Sequence, residues 1–106
     1  NGPQFVEAAR VLAARGLAQY GDDQEALVAY LFRQLTSQLP NDNEQRVLTE
    51  LLSRQRRRFA EQPAQASDLL AVGDAPVDSA LDQSSLAAAT VVAQVVMSYD
   101  KSMVRQ

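Results

Sequence analysis

The sequence has no cysteine, no histidine and no tryptophan. Without cysteine, these residues form no disulfide, no thiolate metal site, no thiol nucleophile and no covalent haem attachment. Without histidine, Ser84 and Ser85 have no imidazole to activate them, and Lys101 is the one candidate base left. Any metal would have to rest on carboxylates alone. Only four glycines are present, and no glycine-rich loop that could cradle a phosphate. A basic surplus is missing too: 13 acidic residues face 10 basic ones, for a net charge of −3. That balance argues against a nucleic-acid partner. No apolar run reaches the roughly 20 residues a membrane span needs. No basic segment followed by an apolar run opens the chain, so no signal peptide is expected. Residue 1 falls almost at a helix start, which reads as a segment cut from a longer chain.

What is there is ordinary for a globular domain. In 106 residues, 46% are hydrophobic and 22% charged, enough for one modest core. The longest apolar stretch is Leu86-Ala-Ala-Ala-Thr-Val-Val-Ala-Gln-Val-Val-Met97, with ten apolar residues of twelve and no charge. A helix apolar on every side must be covered on several faces, so this stretch is expected at the centre. Its valines favour a strand, but its alanines and an aspartate cap at Asp82 favour a helix.

The remaining chain reads as amphipathic helices that cover it. Pro3 suits a first turn, with Asn1 or Gly2 as cap. Phe5, Ala9, Leu12, Ala13, Gly16, Leu17 and Tyr20 then share one face, and Arg10 is expected off it. Gly21 stops this helix, and Asp22 with Glu25 starts the next. Leu27 and Leu31 belong to an unbroken run from Ala26 to Phe32, ended at Leu39-Pro40. Asn41 and Glu44 repeat the capping pattern. Val47, Leu48, Leu51, Leu52, Gln55 and Phe59 form the stripe of a third helix. Pro63 opens a short fourth, closed by Gly73. Asp74 to Asp82 reads as a surface loop, and Ser98–Gln106 as a turn and tail. The expectation is a single all-α domain over 1–106, a compact antiparallel helical bundle of four long helices plus one short one. Helices are placed near 3–20, 23–38, 42–61, 63–72 and 83–97. The core is assigned to Phe5, Leu12, Leu27, Leu31, Leu48, Leu52, Leu86, Val92 and Val96.

Two charged features invite a functional reading. Arg54, Arg56, Arg57 and Arg58 could meet phosphate or an acidic partner, or form a solvated helix face near a C-terminus. Asp74, Asp78 and Asp82 do not match a calcium-loop spacing and read as turn and cap residues. No catalytic, cofactor or metal residue is assigned. Arg54, Arg57, Arg58 and Ala89 are assigned as a possible interaction surface.

Gly16, Phe32 and Pro40 resemble the glycine, aromatic and proline of a tetratricopeptide repeat, which implies a peptide-binding adaptor. Gln19, Val28 and Leu35 depart from that pattern, and no second copy follows. A fuller resemblance begins at Asn1-Gly-Pro-Gln-Phe-Val-Glu-Ala-Ala-Arg10. It continues through Phe32-Arg33, Pro40 and Glu44, then Leu69-Leu-Ala-Val-Gly-Asp-Ala-Pro76, then Leu86-Ala-Ala and Asp100. In that order these segments resemble the C-terminal region of the planctomycete cytochrome-c-associated family, of unknown function. Gly2 stands where that family has aspartate, Ala89 where it has an aromatic, and Ser98 and Lys101 where it has asparagine and glutamate. The resemblance implies a piece of a larger, exported, multi-domain bacterial protein, in an extracytoplasmic compartment. It implies haem c elsewhere in that protein and none in this segment. The expected partner is the rest of the same polypeptide, with no nucleic acid and no membrane span; nothing in the sequence sets an oligomeric state. The role expected is structural, and its rival is an accessory part of an enzymatic or redox site, perhaps one acting on polysaccharide.

Overall fold

Short polar side chains fix where three of the described helices begin, and prolines open the other two. In the computed structural model, which describes residues 2–73 and 76–104 with side chains through Tyr99, the first helix α1 spans Pro3–Tyr20. Gly2 precedes it at the cap position; Asn1 lies outside the described residues. Gly21, at φ 57°, ends it and returns its amide to the Leu17 carbonyl. The second helix α2, Gln24–Thr36, is capped by Asp23, whose carboxylate accepts from the Ala26 amide. The expected cap, Asp22, is one residue too early; its carboxylate is used elsewhere.

The third helix α3, Asp42–Glu61, begins with a full capping box. Asn41 accepts from the Glu44 amide at 2.7 Å, and Glu44 accepts from the Asn41 amide at 2.9 Å. The short helix α4 is Pro63–Leu70, and the last helix α5 is Gln83–Val104. Asp82 caps α5 by accepting from the Ser85 amide at 2.9 Å.

Three helix ends differ from expectation. Helix α2 stops at Thr36 rather than at residue 38. The Thr36 hydroxyl donates to the Phe32 carbonyl and accepts from the Gln38 amide, so the backbone is turned before Pro40 acts. Helix α4 ends at Leu70, with Gly73 in the turn beyond it at φ 90°. Helix α5 runs on to Val104, so the expected turn from Ser98 is helical at least that far. A polar composition was read there as a helix end, but it contains no glycine or proline to make one.

All the described secondary structure is helical, and α5 packs against each of the other four helices. Its residues Leu86, Ala87, Ala88, Ala89, Thr90, Val92, Ala93 and Val96 are buried. The Thr90 hydroxyl is satisfied within the helix by donating to the Leu86 carbonyl at 2.7 Å. Around it lie Leu27, Leu31, Leu48, Leu52 and Phe59, also buried. Leu12 and Phe5, expected in the core, are only partly buried; Leu12 packs on the core's edge. Among the described residues no helix is long and apolar enough to cross a membrane.

Candidate interaction surface

Arg56 sits five residues before the end of α3, and its neighbours in the arginine run do not share its surroundings. Its guanidinium donates to the Ser85 hydroxyl at 3.1 Å, to the Gln24 side chain at 3.0 Å and to the Asp22 carboxylate at 3.0 Å. Gln24 in turn donates to Ser53 at 2.9 Å, and Ser85 to the Asp82 carboxylate at 2.8 Å. The network ties the start of α2, the middle of α3 and the start of α5. The Ser85 hydroxyl and then the Ser85 amide hold the Asp82 carboxyl below its ordinary value, and Arg56 adds to this against the opposing effect of burial. Ser85 is therefore occupied by structure.

Arg54, Arg57 and Arg58 are exposed. Arg58 is held by Gln55 and Gln65 and lies over the Phe59 ring, 4.7 Å from its centre. Arg54 and Arg57 form no ion pair or hydrogen bond with a described residue. Ala89, the fourth residue assigned to a surface, has no exposure at all. It lies on α5 at a point where neighbouring helices close over the small side chain, so it belongs to the core. Arg10, expected off the buried face of α1, is 2% exposed. It donates to the carbonyls of Pro76 and Val72, and so draws the segment after α4 onto α1. Asp78 accepts from the Ala80 amide in a local turn. Asp74 lies outside the described residues, and no three carboxylates converge as a metal site among those that are described.

A groove with a volume of ≈ 260 Å³ lies between α3 and α5, and no motif in the sequence points to it directly. Phe32, Leu48 and Val96 line it as buried groups; Val47, Val95 and Tyr99 line it while 43%, 42% and 42% exposed. Asn43 and Glu44 form its polar edge. The Tyr99 hydroxyl donates to the Glu44 carboxylate, which raises the hydroxyl's pKa above its ordinary 10.0, with burial and the carboxylate charge adding to the effect. Glu44 thus caps α3 with one oxygen and holds Tyr99 with the other. The signal available in the sequence was Val47, one position off the centre of the α3 stripe, with an α5 apolar on too many sides for four helices to cover. Comparison with known proteins gives no match to any family model, any curated protein or any solved structure.

Proposed function

We propose that this chain is a non-catalytic helical domain whose role is contact, packing within a larger exported bacterial protein of the cytochrome-c-associated kind that its segments resemble. The observation that supports this most is the α3/α5 groove, where three large apolar side chains stand together at the surface. Isolated exposed hydrophobic residues need no explanation, but a grouped set marks an interaction site. Burying such surface is favourable by roughly 25 cal/mol per Å². Several groups able to do chemistry are taken up by structure: Arg10 by backbone carbonyls, Arg56 and Ser85 by the interhelical network, Asp78 and Asp82 by a turn and a cap. That supports the non-catalytic reading. In this reading the bundle is antiparallel, with short links folding the first helices back on one another. Any haem belongs to another part of the longer protein.

The test is to produce the longer protein with and without residues 1–106, and to measure solubility, thermal stability, haem uptake and glycan binding. The expected result is lower solubility and stability, with haem uptake and glycan binding by the remainder unchanged. Loss of either binding from a remainder that still folds would replace this reading with that of an accessory site.

A further inference from the structure

Four residues of α3 follow one another along one stripe: Glu44 and Val47, which line the groove, and Leu51 and Arg54, which continue the stripe beyond it toward the end of the helix. Their spacings are three, four and three, which keeps them on one stripe of a helix. Read along the chain the stripe is acidic, apolar, apolar, basic. Turned end for end, it is its own complement. In an antiparallel pair of such helices, Glu44 faces Arg54 of the other copy, and Val47 faces Leu51, twice over. This is the self-complementary pattern that a two-fold contact requires, in which residue i meets j and j meets i.

The surroundings fit that arrangement. Arg54 is exposed and has no ion pair or hydrogen bond with a described residue. Glu44 is half-buried at the groove edge, and its carboxylate keeps acceptor capacity beyond the Asn41 amide and the Tyr99 hydroxyl. Val47 is 43% exposed and Leu51 partly so, and the groove beside them is floored by Phe32, Leu48 and Val96. We infer that the occupant of the α3/α5 groove is a second copy of this chain, joined by antiparallel α3 helices with Glu44 against Arg54 and Val47 against Leu51. This rests on the reading of the chain as a contact domain and names the partner of its groove.

The chain's lack of cysteine makes the register testable. Val47→Cys and Leu51→Cys variants, each the sole thiol in its chain, are mixed and oxidised, and each is also oxidised alone. The expected result is rapid disulfide formation in the mixture and much slower formation in either variant alone. Sedimentation equilibrium of the unmodified chain is expected to show a monomer–dimer equilibrium. Arg54→Glu, a change at an exposed residue that makes no hydrogen bond or ion pair with a described residue, is expected to weaken association about tenfold, since it sets like charges opposite each other twice. Adding Glu44→Arg chains to Arg54→Glu chains restores a heterodimer, with circular dichroism confirming that both variants fold. A chain that stays monomeric at all concentrations overturns the inference, as does crosslinking with no preference for the mixture. If the chain is monomeric and residues 1–106 still support the solubility of the longer protein, the contact reading stands and only the second copy falls.

Discussion

Replacing Arg56 with methionine keeps the packing of the stem and removes the guanidinium that holds Asp22, Gln24 and Ser85. The ion pair itself adds little, because the Asp22 carboxylate is fully exposed. The bonds to Ser85 and Gln24 dominate, and Arg56→Met is expected to cost about 1–2 kcal/mol in urea unfolding. The same substitution at Arg57, which holds no described residue, is expected to leave the urea midpoint unchanged. Asp82 gives a pH signature. Its folded carboxyl is held below the ordinary 3.8, so its contribution is fully present above the unfolded-state value and fades as pH falls through the folded one. Asp82→Asn keeps a cap acceptor and loses the charge. It is expected to cost roughly 0.5 kcal/mol at neutral pH. That cost should vanish below the pH at which Asp82 itself is protonated, as followed by thermal melts across the acid range. A cost that persists undiminished in acid would show that the charge is not what matters.

Close packing between helices explains why two substitutions that a helix backbone tolerates should fail. Ala89 has no exposure, and a leucine there has nowhere to go; Ala89→Leu is expected to destabilise the chain by about 1–3 kcal/mol. At Gly16 the reason is a crossing: an added Cβ would lie 2.7 Å from Leu27 Cδ1 and 3.0 Å from the Tyr30 ring. Leu27 is itself buried and cannot swing away. Gly16→Ala is therefore expected to lower the melting temperature, despite the roughly 1 kcal/mol that alanine gains over glycine in a helix. Helix starts were legible in the sequence because capping is local: Asn41 with Glu44, and Asp82 with Ser85, act within three residues. The central place of Leu86–Val96 was legible because no helix so apolar can face water. Helix ends at Thr36 and beyond Met97 were less so, since one depends on a hydroxyl and the other on packing that carries the helix past its apolar run. Periodicity ranks the sides of one helix, so it placed Arg10 off the buried face, but the Val72 and Pro76 carbonyls that meet Arg10 are brought there by the tertiary fold. Ala89 is placed at the surface by the resemblance, where the family has an aromatic, and the packing of α5 buries it.

The five helices of the described residues enclose a core and leave an apolar groove between α3 and α5, with Val47, Val95 and Tyr99 around it. The contact account turns on whether those side chains serve the fold or a partner. The double substitution Val47→Asp/Val95→Asp separates the two, measured in the 106-residue chain and in the proposed longer protein side by side. The account predicts that the isolated chain loses less than about 1 kcal/mol, as expected for changes at half-exposed positions, while the longer protein loses solubility or assembly. An isolated chain that unfolds, or a longer protein that is unaffected, would contradict it.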